Sequence, residues 1–498
     1  MLAMYVHTHW GYRRPYCARA WTLTDWENYL EGLVSLGFDS ILFWPLLDCM
    51  PPRPNHSDRA FLEKAARVID LAHDRFGLRF VVVVCPNTIG NERADAFDYE
   101  TRPYFACERK LNPASADDAR LLLEGRRNQL APLAAADGVA IIDSDPGGWV
   151  GSSNEEFVGL MRDQTAVFRE FNPRATVDYW MLFGWENYNR FWERAAAWQE
   201  GDPPPALLRP GGTAGAQVFA ETLALMREHI AEPWGVFASW PEHVEATDAL
   251  GLGSKRAFFP YGTIEGEPSF PLTNFTPDPI HRTIGGEIVR TAYPRGLLGN
   301  AQSHCLQLPN TYCFSHFAQG GDPDALDLEG FAEDVLPGAG GVVARAWEAI
   351  GGGDAETRLS CAAALDNEIG RPRAKGRSSG LLFGDADRFL RDLAANLRIQ
   401  AALSEFAGAV DSRKNAVPAL RALMAHLHPY RERVGFVDAY GGPLAEAFNG
   451  RLAQLADPEI DRVLRDFHDW RDPAVRNGIL PRLFQSVLNY CRKGGESQ

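Results

Sequence analysis

The strongest constraint on the fold is a rhythm. Short apolar runs alternate with amphipathic, capped stretches of helical spacing from the first residues to about residue 315 of the 498-residue chain. The runs are rich in β-branched and aromatic residues along their whole length. Arg79-Phe-Val-Val-Val-Val-Cys85 is the clearest case, and continuous runs of this kind suit parallel strands buried on both faces. Others read from Ala3 to His9, Ser40 to Asp48, Val139 to Asp143, Thr176 to Phe183, and Trp234 to Trp240. A seventh reads from Arg256 to Tyr261, and an eighth falls somewhere between Leu298 and Phe317, where the periodicity is poor. Helical segments intervene over about 60–76, 115–135 and 216–230, and the capping boxes Thr24-Asp-Trp-Glu27 and Ser153-Asn-Glu-Glu156 start two more.

Eight such units predict a closed (β/α)8 TIM-type barrel over residues 1–320. An open doubly wound sheet is the alternative, but no strand is followed by the G-x-G-x-x-G phosphate fingerprint. Polar or aromatic residues follow almost every strand end instead, as expected of a barrel with its chemistry at the C-terminal face. Beyond about residue 325 the strand signal disappears, which predicts an α-helical C-terminal domain over 325–498. That domain would be the surface for any homo-oligomer. Its loop Gly435-Phe-Val-Asp-Ala-Tyr440-Gly-Gly reads as a helix-to-helix turn.

Composition removes several function classes. A net charge of −15 argues against nucleic acid as a partner, since phosphate binding draws on a basic surface. No apolar stretch approaches the length of a membrane span, and the N-terminus lacks the basic start and apolar core of a secretory signal, so a cytoplasmic protein without a membrane partner is expected. The eight cysteines contain no C-x-x-C pair, which predicts neither a zinc or iron–sulfur site nor a disulfide framework. No cofactor is expected.

The strand ends carry the chemistry. Val139-Ala-Ile-Ile-Asp143-Ser-Asp145-Pro-Gly-Gly-Trp149 is an apolar strand ending in two carboxylates, a turn and an indole. If the strand persists, residues two apart face the same side, so Asp143 and Asp145 would share the barrel mouth, and like charges held close raise one pKa. The Pro146-Gly-Gly148 turn would let the backbone approach a substrate. Around this pair stand His7, His9 and Trp10 after the first strand, Trp44 and Asp48 after the second, Trp149 after the fourth, and Trp180, Trp185 and Glu186 at the fifth. Trp240 and Glu242 follow the sixth, and Tyr261, Glu265 and Glu267 the seventh. Flat aromatic faces beside carboxylates suit a carbohydrate substrate, whose cleavage needs a protonated acid and a second carboxylate.

A barrel with a carboxylate pair closing its fourth strand, aromatic walls and a trailing helical domain resembles the retaining hexosaminidase-type glycoside hydrolases. The resemblance implies a pair acting with the substrate's own acetamido group: Asp145 as acid and Asp143 as the residue orienting the acetamide, or the reverse. This chain departs from the group in splitting the pair with Ser144. Many retaining glycosidases instead place the acid after strand four and a Glu nucleophile after strand seven, here Asp145 with Glu265 or Glu267. Both arrangements make the chain a glycoside hydrolase.

Two metal-dependent readings compete. His7-Thr-His9 resembles the H-x-H of amidohydrolases, with His243 and His304 or His316 as the remaining candidate ligands. Alternatively Glu186, Asp145, His243 and Glu265 would ring one cation in a sugar isomerase or epimerase. A non-enzymatic carbohydrate-binding module would need the Trp faces but not ionisable groups at five strand ends.

Overall fold

The computed structural model describes residues 1–9, 12–144, 147–197, 212–265, 272–301, 303–412, 417–434 and 458. Eight parallel strands close into a barrel: β1 (Leu2–His7), β2 (Ser40–Trp44), β3 (Arg79–Val84), β4 (Gly138–Ile142), β5 (Thr176–Trp180), β6 (Trp234–Ala238), β7 (Arg256–Phe258) and β8 (Leu297–Asn300). Each strand pairs with its neighbour in sequence, and β8 returns to β1 with Leu2 opposite Leu297 and Tyr5 opposite Asn300. The fold is a (β/α)8 barrel with a C-terminal helical region, as the rhythm predicts.

The boundaries differ where local chemistry overrides the apolar pattern. Strand β2 stops at Trp44 and β7 at Phe258; Pro45 and Pro260 follow closely, and proline has no N–H to continue a ladder. The eighth strand occupies Leu297–Asn300, at the very start of the interval expected for it, and Leu308–Ala318 is a helix. The first helix, Leu23–Ser35, is capped by Thr22, whose hydroxyl accepts from Asp25 N while the Asp25 carboxylate accepts from Thr22 N, so the box lies two residues before the predicted one. The Ser153–Glu156 box is as predicted and starts the helix Asn154–Phe171.

Contacts divide the chain into two compact units that interleave along the sequence. One comprises Met1–His9, Gly37–Tyr261 and Thr283–Asn300, and holds all eight strands. The other comprises Trp10–Leu36, Gly262–Arg282 and Ala301–Gln498. In the second unit the helices Ala355–Asp366 and Ala386–Asp411 pack along each other, and Phe389, Leu393, Leu397 and Ile399 are buried as their spacing suggests. Among the described residues no helix is long and apolar enough to cross a membrane. The cysteines described are free thiols, all buried except the half-buried Cys361; Cys491 lies outside the described residues.

Inside the barrel, alternation along each strand selects one set of residues. Ala3 and Tyr5, Leu42 and Trp44, Val81, Val83 and Cys85, Ala140 and Ile142, Trp180, Phe237, Ala257 and Phe259, and Leu298 form one buried cluster, as expected when residues two apart share a face. Toward the N-terminal end, Asp178 on β5 is wholly buried and its Oδ1 accepts from Arg295 Nη1 at 2.5 Å. Gly235, opposite Asp178 on β6, makes room: a Cβ there would collide with that guanidinium nitrogen.

Candidate active site

Parallel strands deliver their C-terminal residues to one mouth, and here the inward positions are mostly aromatic. Tyr5 meets Trp180 edge-on at 5.3 Å and Phe259 at 5.6 Å, Trp180 lies 4.6 Å from Phe259, and Trp44 meets Trp180 at 5.8 Å. His7 stacks on Tyr5 at 5.4 Å. His9 turns back on His7, with Nδ1 to Nδ1 at 3.0 Å, and stands edge-on to Trp44 and Tyr104 at 4.4 and 4.5 Å. The result is an apolar collar of flat faces with two imidazoles at one side.

Among the described residues, two polar groups in this collar lack a protein partner. The Trp180 indole N–H is buried without an acceptor, and Asn300, wholly buried, uses neither its carboxamide oxygen nor its nitrogen. Asn300 follows Leu298 by two residues on β8, which puts it on the inward face beside Tyr5. Most buried polar atoms are hydrogen-bonded, so such exceptions call for an explanation.

Asp143 is the opposite case. Strand β4 ends at Ile142, an inward residue, so the next position faces outward, toward the segment that follows β5. There its carboxylate is wholly buried and accepts five hydrogen bonds: Ser144 Oγ at 2.6 Å, Tyr179 Oη at 2.8 Å, and the backbone N–H groups of Leu182, Phe183 and Gly184, each at 3.0 Å. Burial holds its carboxyl above the ordinary range, against the pull of these hydrogen bonds. Asp143 thus ties the β4 end to the β5 loop. Asp145 lies outside the described residues. The chain just beyond it is fixed by two amides: Asn87 Nδ2 donates to Gly148 O at 3.1 Å, and Trp149 N donates to Asn189 Oδ1 at 2.8 Å. Gly147 and Gly148 both adopt positive φ, 133° and 89°, conformations that favour glycine.

The other residues expected at the mouth differ in their surroundings. Trp44 is in the collar, and its indole N–H donates to Asp48 Oδ2 at 2.9 Å; Asp48 is wholly buried, also accepts from Cys85 N at 3.1 Å, and is pushed up by burial beside Arg126. Asp48 therefore joins the ends of β2 and β3 within the protein. Trp185 is likewise buried, stacking on Phe157 at 5.2 Å with its N–H on Ser152 Oγ at 3.0 Å, and Glu186 accepts from Asn154 N at 3.0 Å and pairs with Arg190 at 3.3 Å. Trp149 and Tyr261 are partly exposed, at 37% and 43%. Trp240 lies 6.1 Å from Phe183 and 5.1 Å from His243, and Glu242 beside it is buried. In the second unit the Glu265 carboxylate is buried and accepts from Ser303 N at 2.7 Å. Trp10, Glu267 and the loop from Gly435 lie outside the described residues.

The candidate metal ligands are engaged separately. His7 and His9 bond each other, His243 Nδ1 accepts from Ser239 N at 3.0 Å, and in the second unit His304 bonds Tyr29 at 2.5 Å and His316 bonds Asp322 O at 2.9 Å. Among the described residues no three His, Cys, Asp or Glu side chains are grouped to hold a metal ion.

No protein-family model and no curated protein sequence matches this chain. Solved structures do align with it. One is described as a GH138 enzyme targeting pectin rhamnogalacturonan II, at 10% identity and a TM-score of 0.46, covering 87% of this chain and 62% of that one. Another is a mutant of the Thermobaculum terrenum O-GlcNAc hydrolase, at 10% identity and 0.38, covering 97% and 93%. A third is the Flavobacterium johnsoniae chitobiase, at 9% identity and 0.39, covering 98% and 77%. These neighbours are glycoside hydrolases, but likeness at such scores does not decide what this chain does. The chain spans 62% of the length of the GH138 enzyme.

Sequence reasoning did not select Tyr5, Tyr104, Asn300, Asn87 or Asn189 as site residues. Tyr5 was legible in principle, because a period of two carries inward from His7 to Tyr5; Trp180 was expected at the end of the fifth strand and stands in the collar. Asn300 needed the register of a strand whose position the pattern left open. No short-range pattern marks Asn87 or Asn189, whose backbone partners are remote in sequence.

Proposed function

We propose that this chain is a glycoside hydrolase that takes a glycoside or oligosaccharide at the C-terminal mouth of the barrel. The observation that carries the reading is the collar of Tyr5, Trp44, Trp180 and Phe259 with an unpartnered indole N–H within it. A sugar ring offers C–H faces to such rings and hydroxyls to such a donor. Asp145, two residues along the chain from the anchored Asp143, is assigned the proton transfer to the leaving oxygen, which lets the glycosidic bond break through an oxocarbenium-like transition state. Asp143 is assigned to positioning. A carboxylate has roughly four lone-pair sites, and five donors already address this one. That disfavours the hexosaminidase-like variant, in which Asp143 would orient an acetamido group.

The test is a panel of 4-nitrophenyl glycosides spanning hexosides, N-acetyl-hexosaminides and glucuronides. The protein is expected to hydrolyse at least one, with and without EDTA. Asp145→Asn is expected to lower kcat roughly 10²- to 10⁴-fold, the usual contribution of a general acid, with an unchanged circular dichroism spectrum. No turnover across the panel, or an Asp145→Asn variant as active as the parent, would overturn the proposal.

A further inference from the structure

We infer that Asn300 contacts substrate and sets specificity: its carboxamide, with the Trp180 indole N–H, forms a subsite for the vicinal hydroxyls of an uncharged sugar unit. This rests on the glycosidase reading above and goes further by naming what the site selects.

Asn300 is wholly buried on the inward face of β8, and neither Oδ1 nor Nδ2 has a hydrogen-bond partner among the described residues. The position below it on the same face is Leu298, part of the interior cluster. If packing were the only demand, an apolar residue would meet it better, because an unpartnered buried amide weakens the fold. Other asparagines show what a structural carboxamide does here. Asn310 Nδ2 donates to Ile264 O at 3.0 Å, Asn396 Nδ2 to Asp392 O at 2.8 Å, and Asn189 Nδ2 to Ser152 O at 3.1 Å.

The chemistry of the two groups narrows the ligand. A carboxamide presents one acceptor and donors side by side, so one hydroxyl can accept from Nδ2 while its neighbour donates to Oδ1. The indole is a donor only, suited to a third oxygen. Both groups flank Tyr5, Asn300 across the β1–β8 ladder and Trp180 across the interior. A uronate fits less well than an uncharged unit, since its carboxylate could accept from Nδ2 and the indole N–H but would bring no donor to Oδ1. The collar residues Tyr5, Trp44, Trp180 and Phe259 carry no positive charge, and His7 and His9 at its side are engaged with each other.

The experiment replaces Asn300 by leucine, of similar size and without polar atoms, and follows both thermal unfolding and hydrolysis of the 4-nitrophenyl glycosides cleaved by the parent. The expected result is a Tm unchanged or raised together with kcat/KM lowered roughly 10- to 100-fold, the value of one or two lost hydrogen bonds. The loss should shrink on a monodeoxy form of the same glycoside that lacks the contacted hydroxyl, and glucuronides should be poor substrates for the parent. A lowered Tm with unchanged kcat/KM would overturn the inference and assign Asn300 to a bridging water within the fold. Asn300→Ser serves the same comparison if leucine is not accommodated. A parent that cleaves no glycoside defeats the glycosidase reading itself; a parent that cleaves and an Asn300→Leu variant that cleaves equally well defeats this inference alone.

Discussion

The two ends of the barrel treat buried polar groups in opposite ways. Toward the N-terminal end, Asp178 on β5 meets Arg295 in an ion pair, with Gly235 kept small to admit the guanidinium. Two residues further along the same face of the same strand, the Trp180 indole N–H has no partner among the described residues, and across the barrel neither does Asn300. The backbone, the burial and the spacing are shared; the hydrogen bonding is not. A barrel's N-terminal end serves stability and its C-terminal end chemistry, and here the difference is visible as a charge paired through Asp178 Oδ1, its Oδ2 left unbonded among the described residues, against neutral groups with no protein partner there at all. Asp143 shows that position alone does not decide which. It ends β4 at the mouth yet is served by five donors, so it belongs with Asp178 among the groups that hold the fold together.

The comparison breaks most sharply at Arg295. Methionine of similar length there would leave the Asp178 carboxylate buried without its counter-charge, and losing one partner of a buried pair costs about 3–5 kcal/mol. Urea unfolding of Arg295→Met should show a loss of that size, with kcat/KM per folded molecule unchanged. Adding Asp178→Asn should recover much of the stability, because both charges are then gone. A single variant that unfolds like the parent would mean the N-terminal pair does not hold the barrel.

Asp143→Asn should come next, with a loss of about 2–3 kcal/mol. Whichever way the carboxamide is turned, its NH2 faces donors: Tyr179 Oη and the amides of Leu182 and Gly184 address Oδ2, Ser144 Oγ and Phe183 N address Oδ1. Thermal unfolding should therefore report Asp143→Asn as destabilised and Asp145→Asn as not. Sequence spacing treats the two as equivalent catalytic carboxylates whose removal spares the fold; the donors around Asp143 separate them. Equal stability of the two variants would restore the equivalence.

The fold was legible because its signal is repeated. Runs such as Phe80 to Val84 and Val139 to Ile142 are continuous in apolar residues because the strand is covered on both faces, and eight repeats leave few alternatives. The eighth strand was hard to place because four residues, Leu297–Asn300, carry too little pattern. The first capping box was misplaced because Thr24 and Glu27 fit the same spacing as Thr22 and Asp25, and only the structure shows which hydroxyl meets the N3 amide. The site was less legible for a different reason. Asp143 takes its backbone donors from residues 39 to 41 positions later, and whether a carboxylate is exposed to substrate or enclosed by amides leaves no trace in its own neighbours. Asp48 and Trp185 follow strand ends as a binding residue would, yet their polar atoms bond within the protein. Strand-end position identifies the candidates; hydrogen-bond satisfaction sorts them.

The smallest effect is expected at Tyr179. Its side chain is wholly buried, with the ring 5.6 Å from Phe157 and the hydroxyl donating to Asp143 Oδ2 at 2.8 Å. Tyr179→Phe keeps the ring and removes one donor of five, so Asp143 still receives Ser144 and the three amides. A loss of about 1 kcal/mol follows from one hydrogen bond, with kcat/KM changed only a few-fold. This is the inverse of Asn300→Leu, where stability holds and activity falls, although both substitutions delete a polar group near the same end of the barrel. Differential scanning fluorimetry and a single kcat/KM measurement on each variant suffice to compare them. If Tyr179→Phe instead lost as much activity as Asp145→Asn while its Tm held, the charge on Asp143 would have to be poised for the reaction itself, and its five donors would be tuning an acid, not anchoring a loop.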